Sequence, residues 1–134
     1  MKNKLVKKVS GIIIKDKKLL LVSSNGRPFF WPPGGHIDEN ESAEDALRRE
    51  LEEELGITCT SMTPYCTYLS EKEEDNSQRE VQNFLVEYDG EPHPCSEIDR
   101  IMWLSRDNFI VDDSSIQLGT KNHLIPRLFN DGLM

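Results

Sequence analysis

Cysteine is scarce in this chain, with three thiols (Cys59, Cys66 and Cys95) in 134 residues. An odd count without paired spacing supplies neither a disulfide framework nor a zinc site, so free thiols in a reducing compartment are expected. Long apolar runs are missing as well. The longest, Ile12 to Ile14 and Leu19 to Val22, are far too short to span a bilayer. The N-terminal lysines Lys2, Lys4, Lys7 and Lys8 are not followed by an apolar stretch of signal-peptide length. A cytoplasmic protein that does not enter membranes is the expectation. Basic residues are in deficit, 16 against 24 acidic, for a net charge of −8. That balance argues against a basic surface for gripping DNA or anionic lipid. It leaves phosphate-bearing ligands open, provided divalent cations sit between the two negative partners. Internal repeats and Gly/Ser or Pro linkers are lacking too. With 37% hydrophobic and 30% charged residues, the chain is too apolar for a disordered protein, and one domain over residues 1–134 is expected.

What is present begins with strand-like apolar segments over residues 6–14 and 18–22, broken by a hairpin turn at Lys15-Asp16-Lys17. The aromatic run Phe29-Phe30-Trp31 is stopped by Pro32-Pro33-Gly34-Gly35, read as a loop. Residues 42–55 read as a helix, with Ser42 as N-cap, Asp45 at N3 and Gly56 as the left-handed C-cap. Strands are predicted at 63–69, 82–88 and 98–104, with a polar loop at 71–76. A second helix covers 120–129, with Pro126 as an interior residue that kinks it. Strands mixed with two helices indicate an α/β or α+β layer architecture around a mixed sheet.

The first helix carries a costly pattern. Glu50, Glu52, Glu53 and Glu54 fall within five positions. At about 100° per residue, Glu50, Glu53 and Glu54 share a face while Glu52 points to water. Leu47, Leu51 and Leu55 form the adjoining apolar stripe, and Ala43 and Ala46 are expected to leave space above the acids. Like charges at i, i+3 and i+4 each cost about 0.2–0.5 kcal/mol. The acids also crowd the helix end where the macrodipole disfavours them. Convergent carboxylates have one good physical use, which is to hold a hard divalent cation through oxygen ligands. The alternative is a solvated acidic face.

The neighbouring residues separate these readings. From Gly35 the chain runs five residues to Glu41, seven more to Arg49-Glu50-Leu51, one to Glu53-Glu54, and one to Gly56-Ile57. This resembles, at every specified position, the box of the Nudix hydrolases, G-x5-E-x7-R-E-U-x-E-E-x-G-U with U apolar. The preceding Trp31-Pro32-Pro33-Gly34-Gly35-His36 is similar to the family's approach to the box.

The resemblance implies an α/β/α sandwich with a mixed sheet, in which a loop–helix–loop carries the box. It implies hydrolysis of a nucleoside diphosphate linked to another moiety, with magnesium or sometimes manganese, by water attack at phosphorus. Carried over by position, Glu50, Glu53, Glu54 and the carbonyl of Gly34 would ligate metal. Arg49 would orient a box glutamate, pairing with Glu41 or with a ligand carboxylate. The catalytic base would be Glu53, Glu54 or a later glutamate, for which Glu97 is the candidate. Phe29, Phe30, Trp31, Tyr68 and Trp103 are candidates to stack on a base, and Arg27 and Arg79 to touch phosphate. The proline or tyrosine by which some subfamilies mark ADP-ribose or diadenosine polyphosphate enzymes is absent from residues 71–75. Leu21-Val22-Ser23-Ser24 followed by Trp31-Pro32-Pro33-Gly34-Gly35 resembles the nucleoside triphosphate and diphosphoinositol polyphosphate hydrolases, and the resemblance implies an oxidised or ordinary nucleoside triphosphate as the leading substrate. The rival readings are removal of pyrophosphate from RNA 5′ ends, which the charge disfavours, and a nucleotide sensor that has lost catalysis. Homodimers are common among such relatives.

Overall fold

The computed structural model describes residues 4–24, 26–109 and 114–134, so Lys2 lies outside it. Its strands are β1 (Lys4–Ile12), β2 (Ile14–Lys15), β3 (Lys18–Ser24), β4 (Gly34–His36), β5 (Thr58–Leu69), β6 (Ser77–Asp89) and β7 (Ile98–Leu104). Helix α1 spans Ala43–Leu55, and a π-helical turn at Thr120–Leu124 runs into α2 (Ile125–Asn130). One sheet has the order β4-β1-β6-β5 and is mixed, because β1 and β6 run parallel while the other pairs are antiparallel. The other has the order β2-β3-β7 and is antiparallel.

Side-chain alternation along the central strands decides the layering. Val9 and Ile13 belong to one apolar cluster and Ile12 to another; on β3, Leu20 and Val22 join the first, Leu19 and Leu21 the second. Sheets buried on both faces need a cover on each. Helix α1 closes the first cluster with Ala46, Leu47, Leu51 and Leu55. The C-terminal helical segment closes the second with Leu124, Ile125 and Leu128. The result is the expected α/β/α sandwich.

Local signals explain several elements. The Ser42 hydroxyl accepts from the Asp45 N–H at 3.0 Å, and Gly56 ends α1 at φ 66°. Asp16 and Lys17 both adopt positive φ, 53° and 61°, the geometry of a tight hairpin turn. Other expectations need correcting. The segment predicted over 6–14 is two strands in different sheets, joined through fully buried Ile13. Strands β5 and β6 each start five residues earlier than predicted. In β6, Ser77 to Glu80 are drawn in by ladder pairing with Lys4 to Lys7, which polar residues satisfy as well as apolar ones. Gly34 and Gly35, read as loop, form β4 against Ser10 and Val9. Pro126 does not kink an α-helix interior. The preceding turn is widened, with the Ile125 N–H bonding to Thr120 O, so Pro126 sits in the first turn of α2 where no amide donor is needed.

Leu51 is fully buried between α1 and the sheets. Leu51→Ala is expected to remove about 2–5 kcal/mol of stability, measurable as a lower urea midpoint with an unchanged slope.

Candidate active site

The acids of α1 lie against β4. The Gly34 N–H donates to Glu54 Oε1 at 3.1 Å. A Cβ on Gly35 would stand 2.8 Å from the Glu50 carboxyl carbon, and one on Gly34, at φ 147°, would stand 2.0 Å from Val9 O. Gly35 therefore lets the Glu50 carboxyl lie against the strand, while Gly34 lets β4 lie close on the β1 backbone. The fit leaves Glu54 only 4% exposed. Burial, with the neighbouring Glu50 and Glu97 acids adding to it against the Gly34 bond, pushes its pKa up to about 9.

Arg49 organises the outer side of this pair. Its Nε and Nη2 donate to Glu41 at 2.9 and 3.0 Å in a two-pronged contact, and its Nη1 donates to Glu50 Oε1 at 2.8 Å. Glu41 also accepts from the Asp38 N–H at 3.1 Å. The Arg49 contact holds the Glu41 carboxyl below its ordinary range. Glu53 is turned outward, its side chain 54% exposed and 3.6 Å from Arg49 Nη1. Among the described residues no three His, Cys, Asp or Glu side chains stand close enough together to hold a metal ion. The space expected above the acids at Ala43 and Ala46 is filled. Ala46 is fully buried and Ala43 packs on the same cluster, because the core wraps round that flank of α1.

Glu97 arrives from far along the chain. The last carbonyls of α1 lack helical partners. They are capped from the segment after β6: the Cys95 N–H donates to Glu54 O at 2.9 Å and the His93 N–H to Leu55 O at 3.1 Å. These two bonds carry Glu97 to the cleft.

That cleft, of about 860 Å³, is lined by Glu50, Glu54 and Glu97 together with Gly34, Gly35, His36 and Asp38. Lys8, Arg27, Arg79 and Lys121 also line it. A smaller adjoining pocket of about 150 Å³ shares Lys8 and Arg79 and adds Tyr68. Burial and the nearby Arg79 cation lower the Lys8 pKa, opposed by Glu54 and Glu50. Burial pushes Tyr68 up to about 12.

The aromatic candidates divide by strand parity. Phe29 and Trp31 line the cleft, their rings edge to face at 5.6 Å. Phe30, between them, points away into the second cluster, with the Arg100 guanidinium 5.1 Å above its ring. Trp103 is also off the cleft. It pairs with Leu20 in the β3–β7 ladder, so it shares that residue's face and packs on the first cluster. Phe30 and Trp103 are thus removed from the substrate-facing set. Sequence reasoning missed Lys8, Gln117 and Leu118 as cleft residues. The available signal was a lysine inside an apolar strand and, in Leu118, a leucine that stays 54% exposed at the rim.

A family model described as the NUDIX domain matches residues 4–123. The chain belongs to the Nudix hydrolase family. Over 52 residues it is 44% identical to an ADP-ribose pyrophosphatase of Methanocaldococcus jannaschii, a match covering 37% of this chain and 31% of that protein. Over 53 residues it is 43% identical to an 8-oxo-dGTP diphosphatase of Proteus vulgaris, covering 39% and 44%. The matched segment thus spans less than half the length of either curated relative. In fold, it superposes on a MutT NUDIX hydrolase from Burkholderia pseudomallei with a TM-score of 0.77 at 23% identity, covering 89% of this chain and 95% of the other.

Nudix proteins generally use a divalent metal, and the donor chemistry of this cleft suits one, although its acids do not stand gathered around a single point. The acids offer only hard oxygen donors, and Glu54 is a buried carboxyl whose charged form burial disfavours and a bound cation would favour. This predicts an unusual pH dependence for the metal-free protein. With a carboxyl pKa raised from 4.5 to about 9, the folded state holds a proton that the unfolded chain has lost. The contribution is complete below pH 4.5 and declines as pH rises toward 9. Glu54→Gln, neutral throughout, is expected to raise Tm at pH 8 in the presence of chelator and to flatten the fall in stability, read by calorimetry across that range.

Proposed function

We propose that this chain hydrolyses a nucleoside diphosphate linked to a second moiety, with nucleoside triphosphates, oxidised ones included, as its substrate class. The observation that carries the reading is a cleft with adjacent carboxyls on α1 and, facing the same space, the cations Lys8, Arg27 and Arg79. Acids alone repel a polyphosphate, and cations alone bind it without activating water. Both together, with a divalent ion, suit anhydride cleavage. The chain lacks the mark of ADP-ribose enzymes at residues 71–75, which favours a triphosphate over the substrate in the archaeal relative's name.

Glu50, Glu54, Glu97 and the Gly34 carbonyl are the proposed holders of Mg²⁺, with Mn²⁺ as a substitute, and Glu53 is the remaining box acid for this role. When bound, the ion neutralises phosphate charge, lowers the pKa of a water and lines up the leaving group. Arg49, fixed on Glu41, keeps Glu50 turned toward the cleft. Lys8, Arg27 and Arg79 bind phosphate oxygens, while Phe29 and Trp31 offer ring faces to the base. The proton of the attacking water passes to a carboxylate among Glu53, Glu54 and Glu97.

A panel of dGTP, 8-oxo-dGTP, ADP-ribose, a diadenosine polyphosphate and triphosphate-ended RNA tests this. Magnesium-dependent hydrolysis of the triphosphates, abolished by chelator, is the expected result. Glu53→Gln and Glu54→Gln are expected to lower kcat by about 10²–10⁴-fold, and unchanged activity in both would overturn the catalytic assignment. Tight binding of one nucleotide with no turnover of any would favour the sensor reading. Arg79→Ala is expected to raise KM about tenfold with kcat largely kept, as for loss of a bond to a charged group.

A further inference from the structure

The loop after β3 supplies Arg27 and Phe29 to the cleft, yet the side chain that fixes it comes from another strand and does not line the cleft. Arg100 stands near the start of β7, opposite Ser23 in the ladder. Its Nη2 donates to Arg27 O at 2.6 Å, to Ser23 Oγ at 2.9 Å and to Ser24 O at 3.3 Å. Ser23, fully buried, passes the contact on by donating its hydroxyl to Phe29 O at 2.7 Å. The guanidinium face covers the Phe30 ring. One cation therefore gathers backbone or hydroxyl oxygens from both ends of the turn. Charge-assisted bonds of this kind are stronger than neutral ones. Arg100 also follows Glu97 by three residues, so the strand whose entry carries a cleft acid also carries the clamp on the facing loop.

We infer that Arg100 is the positioning residue that presets this loop, holding Arg27 and Phe29 toward the cleft before any ligand arrives. The inference rests on the proposed hydrolase reading only for its kinetic consequence. A preset loop lowers the ordering cost of binding, so its loss falls on KM rather than on kcat.

The test compares wild type with Arg100→Ala, Arg100→Lys and, as control, Arg106→Ala, whose guanidinium lies 4.6 Å from the Phe129 ring centre. Hydrogen–deuterium exchange of the unliganded, chelator-treated proteins is expected to accelerate over residues 26–31 in Arg100→Ala. Arg100→Lys, which keeps the charge but has neither the reach of Nη2 nor the planar face over Phe30, should be intermediate, and Arg106→Ala should match wild type there. With the best nucleoside triphosphate and Mg²⁺, Arg100→Ala is expected to raise KM about tenfold and to leave kcat within about twofold. Unaltered exchange over 26–31 overturns the inference, as does an equal effect in Arg106→Ala or a fall in kcat at constant KM. Should Arg100→Ala not fold, Arg100→Lys carries the same comparison. Should wild type hydrolyse nothing in the panel, the hydrolase reading fails, while the exchange measurements still decide the clamp.

Discussion

A carboxyl taken almost out of water governs this structure. Glu54 accepts the Gly34 N–H, and two further acids, Glu50 and Glu97, line the same cleft. Desolvating a charged carboxylate is expensive, and burial accordingly pushes the Glu54 pKa up. A side chain chosen for helix stability would do none of this. Local rules are broken here and almost nowhere else on α1, which elsewhere has a good N-cap, a glycine C-cap and an unbroken leucine stripe.

The surroundings of Glu54 are arranged to make that burial possible and to orient the acids. In strand β4, Gly35 leaves room for the Glu50 carboxyl of α1 and Gly34 for the backbone of β1. The segment after β6 is tied to the carbonyls that α1 cannot satisfy itself, and Glu97 comes with it. Arg49 spans Glu41 and Glu50 from the outer side. Across the cleft, cations project from strand and loop positions that belong to neither the box nor α1. The cleft of this acidic chain thus mixes cations with its acids, so net charge says little about what the cleft attracts.

Features encoded over a few residues are legible in the sequence. The caps of α1, its leucine stripe, the turn at Asp16-Lys17 and the extent of β7 follow from neighbours along the chain, where propensity and periodicity act. The early starts of β5 and β6 are not legible, because ladder pairing rewards backbone groups and leaves no apolar trace in polar residues such as Ser77 and Gln78. Strand β4 is hidden for a related reason: its glycines are disfavoured in strands and are retained for close approach. Pro126 is incompatible with a regular helix interior on its chemistry alone, but the widening of the preceding turn depends on how that segment packs on the second cluster.

By itself the sequence determined the spacing of acids, arginine and glycine from Gly35 to Ile57, and with it the family, since that spacing is a property of one helix and its flanks. Tertiary structure alone decided which side chains share the cleft with those acids. Phe29 and Trp31 enter it while Phe30 and Trp103 do not, and Lys8 joins from the first strand, because strand register and parity assign each side chain to a face. Register is fixed by contacts between residues far apart in the chain, and such contacts leave no mark at the positions they select.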